Sequence, residues 1–179
     1  MPDWLRAAWG TGFVVITAVH LRHALGMSGR DRWWHGTHTV LAVGMGVMFL
    51  VPRAADHDLY ETGAVIFTAL ALTSAGMTVF LQWFDGRAAL PWAASTGDAA
   101  IMAAMCAVPQ PWPAAADYGA ALYLGAVAVA WVVGWWDRVA APPGREDGTM
   151  RTATTTDLST RTSLSAMAAG MAFMLVAMR

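Results

Sequence analysis

Charge, cysteine and the motifs of soluble enzymes are what this sequence has least of. Charged residues fill 13% of its 179 positions, against 57% hydrophobic ones. A soluble globular domain carries about 25% charged and about 45–50% apolar residues, so there is too little charge here to coat a soluble fold of this size. Disorder is excluded by the same apolar content. Eleven basic residues, all arginine, stand against twelve acidic ones for a net charge of -1. With no basic stripe, nucleic acid is not expected as a partner. Cys106 is the one cysteine, which excludes a disulfide framework. There is no phosphate-cradling Gly-rich loop, no His-Glu-x-x-His and no nucleophile elbow. The chain is therefore read as leaning away from an enzyme, and what remains is an integral membrane protein.

Six apolar stretches, near 6–27, 33–52, 60–84, 88–108, 115–136 and 162–179, approach the ~20 residues that span a bilayer. Backbone in lipid must satisfy its own hydrogen bonds, so such spans are helices. The expected fold is all-α, one transmembrane domain of six helices built as three hairpins. Trp4, Trp33, Trp34, Tyr60, Trp83, Trp92, Trp112, Trp135 and Trp136 gather near the span ends as an aromatic belt. The turns read Ser28 to Arg32, Pro52 to Leu59, Asp85-Gly86-Arg87 and Pro109 to Pro113. A longer loop at 137–161, with Pro142-Pro143-Gly144 and the run Thr152 to Thr156, is expected to be mobile and cytoplasmic. The last helix is expected to start near Thr160 or Thr162.

Arg22, Arg30, Arg32, Arg87, Arg138, Arg145, Arg151 and Arg161 fall on one side of this layout, and Arg6, Arg53 and Arg179 on the other. Positive charge stays cytoplasmic, which puts both termini outside a multi-pass protein of the inner (plasma) membrane. Asp3 and a lone Arg6 make a poor basic region, so no cleavable signal is expected at the N-terminus.

Two groups of residues carry possible chemistry. His20 and His23 sit three apart near the inner end of the first helix, and His35 and His38 sit three apart at the start of the second. Residues three apart share a helix face, and a tight hairpin sets His20 level with His38 and His23 level with His35. Imidazole suits copper, zinc, iron and nickel and relays protons. His23 and His35 read as interfacial, whereas the deeper His20 and His38 need partners.

The second group is methionine. Met45 and Met48, Met102 and Met105, and Met171 and Met174 repeat one Met-x-x-Met spacing on the second, fourth and sixth spans. Those spans run in one direction, and Gly44, Gly46, Ala103, Ala104, Ala168, Ala169, Gly170 and Ala172 allow close approach around them. Thioether sulfur is soft and favours Cu(I); methionine is also an adaptable core filler. Asp98, four residues before Met102, should face the bundle, with Thr73 and Ser74 as expected hydrogen-bond partners and Met77 near the same space. Cys106 reads as a small buried hydrophobe.

The segments Trp33-Trp34-His35-Gly36-Thr37-His38 and Val43 to Phe49 resemble the second helix of an uncharacterised actinobacterial family of six-helix membrane proteins. Ser165 to Met174 resembles its Met-rich last helix. The fourth helix of that family tends to carry histidines, where this chain has Ser95 and Asp98. The family has no assigned activity, so the resemblance implies the fold and a possible link to copper rather than a reaction.

Four functional readings follow. The first is copper handling, with Cu(I) held among His20, His38, Met45, Met48, Met102, Met105, Met171 and Met174 for transport, storage or delivery to a partner protein. The second is a metal-free membrane scaffold or accessory subunit. The third is a redox protein with haem between His20 and His38, for which an antiparallel hairpin at ~8–10 Å is tight. An enzyme acting on a lipid ranks last.

Overall fold

A computed structural model describes residues 2–84, 89–107, 112–140 and 157–177. Among these residues the regular elements are all helical, with no strand. They are α1 (Asp3–Gly26), α2 (Gly29–Leu50), α3 (His57–Phe84), α4 (Leu90–Ala107), α5 (Ala114–Val132), α6 (Trp135–Ala140) and α7 (Leu158–Ala177), with a single 3-10 turn at Arg53–Ala55. The expected turns at Asp85 to Arg87 and Pro109 to Pro111, the Pro142 to Gly144 and Thr152 to Thr156 runs, and Met178 and Arg179 lie outside the described residues.

The helices pair as three antiparallel hairpins: α1 with α2, α3 with α4, and α5 with α7. Further packing joins α1 to α7 and α2 to α4. At the end opposite the α1–α2 turn, Arg6 holds the first hairpin shut. Its guanidinium donates to the carbonyls of Phe49 and Leu50 at 3.1 and 2.8 Å, capping the negative end of α2. Near it, Trp9 stacks on Phe13, Phe49 and Phe173 with ring centroids 6.0, 5.5 and 5.6 Å away.

Polarity in this bundle is turned inward. His20, His38, Ser95, Asp98, Thr160 and Ser163 are buried, while Val14, Val65, Leu72, Leu122, Val129 and Val176 are each more than half exposed. Two helices, α3 and α5, are long and apolar enough to cross a membrane, and only 17% and 28% of their apolar windows are buried. The other four long helices fall short by composition, not by length. Their averages are lowered by buried histidines, hydroxyls and Asp98 together with charges at their ends.

Two boundaries differ from the sequence expectation. The fifth span breaks at Gly134, whose φ of 64° is open to glycine; Gly134 N–H closes the helix end on the Trp131 carbonyl at 3.1 Å, and α6 begins at Trp135. The last helix begins at Leu158, earlier than expected, because Asp157 caps it by accepting the Thr160 N–H at 2.8 Å. Trp34, Tyr60 and Trp92, expected in the belt, are buried at 7%, 5% and 8% exposure. Tyr60 turns in because its hydroxyl donates to the Val51 carbonyl at 2.8 Å.

Close helix contact rests on Gly44, which lies under the ring of Phe67 with no room for a Cβ. A Gly44→Ala variant is expected to lose about 1–3 kcal/mol through overpacking. Gly36→Ala on the same helix, where nothing lies within 4 Å, is expected to be neutral or to gain up to ~1 kcal/mol. Thermal unfolding of the two purified variants in one detergent checks the contrast.

Candidate functional site

Four imidazoles meet where α1 turns into α2. The turn is two residues long, Met27 and Ser28, so the chain doubles back at once and the two i, i+3 pairs face each other. Ring centroids lie 5.3 Å apart for His20 and His38, 4.9 Å for His23 and His35, and 5.4 Å for His20 and His35. The expected levels are present, and a diagonal contact adds to them. His35, expected at the interface, is 4% exposed. Its Nδ1 lies 3.1 Å from Nδ1 of His20.

Neighbouring helices fix which ring nitrogens carry protons. The Ser163 hydroxyl donates to the Thr160 carbonyl at 2.9 Å, so its oxygen accepts from His20 Nε2 at 3.0 Å. Nδ1 of His20 is left with its lone pair toward His35. His38 Nδ1 donates to the Trp34 carbonyl at 2.8 Å, a group that can only accept. Nε2 of His38 therefore holds a lone pair, 3.4 Å from Ser95 Oγ, whose own hydrogen goes to the Pro91 carbonyl at 2.9 Å. A histidine that donates one nitrogen to a carbonyl or hydroxyl and keeps the other free has the arrangement usual for a metal ligand. The indole of Trp34 packs 5.0 and 4.4 Å from the His35 and His38 rings and keeps this end of the cluster apolar.

Bond lengths of about 2.0–2.1 Å at a tetrahedral ion set two nitrogens about 3.3–3.4 Å apart. The Nδ1 pair of His20 and His35 is close to that spacing, and the same separation accommodates one N–H···N bond. Among the described residues, no three of His, Cys, Asp and Glu are arranged to hold a metal ion. The core supplies sulfur as well, in a separate layer further along the same helices.

Met45, Met48, Met102, Met105, Met171 and Met174 are all buried, at 0–6% exposure, in one core cluster with Met167. Their heights follow from the imidazole layer. His38, Ser95 and Ser163 meet in that layer from α2, α4 and α7. Met45 and Met102 lie seven residues beyond His38 and Ser95, and Met171 lies eight beyond Ser163. At 1.5 Å per residue these three thioethers stand about 10–12 Å along their helices from the imidazoles. One turn further, Cys106 Sγ donates to Met48 Sδ at 3.9 Å, bringing sulfur from α4 and α2 into contact.

Asp98 is buried on α4, and its Oδ1 has no hydrogen-bond partner. The expected partners do not reach it: Thr73 donates to the Ala69 carbonyl at 2.8 Å, and Ser74 Oγ is itself buried without a partner. Ser163 and Thr160 are site residues that sequence reasoning missed. The serine and threonine spacing at the start of α7 was visible, but nothing local tied it to α1.

At the rim, His23 Nδ1 lies 3.3 Å from Thr160 Oγ1 and Nε2 lies 3.5 Å from Asp157 Oδ2. Burial acts to raise the Asp157 carboxyl, but hydrogen bonds from Thr160 and Ser159 and the nearby His23 outweigh it and hold the group below its ordinary value. Comparison with known proteins finds no matching family model, no matching curated protein and no matching solved structure.

Two outcomes are expected. Ser163→Ala removes the acceptor of His20 Nε2, with a cost of about 1–3 kcal/mol, and 15N spectra of labelled histidine should show His20 changing from one tautomer to a mixture. Because the folded Asp157 value is depressed, its contribution is present above the ordinary carboxylate range and is lost as pH falls below it. Hydrogen exchange at the Thr160 amide should show a several-fold loss of protection on acidification, and Asp157→Ala should show that loss at neutral pH.

Proposed function

We propose that this chain is a six-span protein of the inner membrane that handles copper, holding Cu(I) among the thioethers of Met45, Met48, Met102, Met105, Met171 and Met174 with His20 and His38 at the cytoplasmic end. The observation that carries this reading is the shared register of α2, α4 and α7, with lone-pair imidazoles at one level and buried thioethers about 10–12 Å further on from three helices. Neutral sulfur and neutral imidazole favour a soft monovalent ion over a hard one. They also bind it without burying a net negative charge.

Membrane insertion is supported by the inward-turned polarity. A helix at the core of a soluble protein is mostly buried, whereas only 17% and 28% of the apolar windows of α3 and α5 are. Val14, Val43 and Val176 extend that exposed apolar surface to α1, α2 and α7. Trp4, Trp33, Trp83 and Trp135 stand exposed near helix ends, as an interfacial belt requires. The arginine asymmetry supports cytoplasmic placement of the imidazole end and external termini. Two of the three arginines on the other side, Arg6 and Arg53, donate to helix-terminal carbonyls of α2 and α4. The surrounding lipid is then the first partner, and a protein that takes up or accepts copper is the second. The resemblance to the six-helix actinobacterial family agrees with this layout through α2 and α7.

A metal-free scaffold is favoured by one observation, the lack of three convergent His, Cys, Asp or Glu side chains among the described residues. In that reading the thioethers serve packing alone. Haem is disfavoured because the His20 and His38 rings stack face to face at 5.3 Å and 24°, leaving no gap for a macrocycle between them.

Copper content of the purified protein separates these readings. The wild type should retain copper through detergent purification after expression with added copper, and Met45→Leu with Met171→Leu should lower retention by about tenfold or more. Equal and negligible copper in both, with unchanged melting, leaves the scaffold; an absorption band of bound haem would reinstate the third reading.

A further inference from the structure

A pocket of about 310 Å³ opens beside the imidazole cluster, lined by Arg22, His23, Gly26, Met27, Asp157 and Ser159. It joins the end of α1 to the start of α7, two segments more than 120 residues apart in sequence. Three of its side chains are donors for a cation. His23 is partly exposed, with Nε2 turned toward Asp157. Asp157 offers a carboxylate that is 57% exposed and already fixed by Ser159 and Thr160. Met27 is 40% exposed, whereas the six thioethers of the proposed copper site are in the core. Met27 lies outside the core cluster. It lines the same pocket as an imidazole and a carboxylate, at an end of the cluster that opens to solvent.

We propose that this pocket is the loading site for the copper-handling interior, where Cu(I) is first taken by Met27, His23 and Asp157 before it moves inward. The inference rests on the copper reading above and adds where the ion comes in. From His23 the next imidazole is His35, at 4.9 Å between ring centroids, and the Nδ1 pair of His35 and His20 follows at 3.1 Å. The ion thus passes by ligand exchange along neighbouring imidazoles, with no redox step. Arg22 lines the same pocket and offsets the Asp157 charge. That balance keeps the first site weak, and a transit site must release what it binds.

The test uses the full-length protein in detergent, with Cu(I) supplied as its coloured bicinchoninate complex. Decay of the complex gives the loading rate, and metal analysis gives the final content. Asp157→Asn keeps the helix cap, because Asn caps as well as Asp, and Met27→Leu alters an exposed side chain. Both variants should reach the wild-type final content, with loading slowed by about tenfold. Wild-type rates in both variants overturn the loading site while leaving the copper reading intact. A lowered final content in either overturns it as well, since that residue would then belong to the storage site. If the wild-type protein takes no copper from the complex, the copper reading fails and the loading site fails with it.

Discussion

A buried imidazole must set its ring N–H against an acceptor and have its other nitrogen covered, and the arrangement of this bundle depends on meeting that need. Two histidines from α1 and two from α2 are brought together by a two-residue turn. Alone, that hairpin supplies no acceptor for His20 Nε2 and leaves His38 Nε2 uncovered. Ser163 from α7 answers the first by accepting its N–H, while Ser95 from α4 covers the second at 3.4 Å and leaves its lone pair free. The cost of an orphaned polar group in an apolar medium is several kcal/mol, so these contacts fix how far α4 and α7 slide against the first hairpin. Once that register is set, the heights of the methionines beyond it are set too.

The same need explains why polarity points inward. Among the described residues, only two helices qualify as membrane-crossing by composition. A sequence average counts His20, His38, Ser95 and Ser163 as polar without knowing which way they face. In the folded chain they face one another, and the outer surface keeps Val14, Val43 and Val176. The hairpin layout and the matched histidine pairs were legible because i, i+3 spacing and a short turn are local properties. The thioether stripes were legible for the same reason.

What was not legible is non-local or depends on a single backbone choice. Nothing near His20 announces a serine 143 residues away. Gly134 sits inside the apolar run Trp131 to Trp136, and a glycine there is as compatible with a continuous helix as with the break that occurs. His35 looked interfacial by its distance from the chain turn. It is covered because Trp34 folds over the cluster and His20 meets it diagonally. Asp98 was expected to find Thr73 or Ser74, yet Thr73 turns back onto its own helix.

The chain distance between His20 and Ser163 also bears on how the protein is made. Each hairpin can close on local contacts as it leaves the ribosome, the first before the second exists. The seryl partner of His20 lies 143 residues later, on α7, so while the helices between are being made that imidazole has no acceptor from Ser163 at Nε2. Docking of α7 brings Ser163 to His20 and Thr160 to His23 and so completes the cluster. A nascent chain stalled before that helix would carry a wet, open histidine cup, and quality control could distinguish it from the finished bundle.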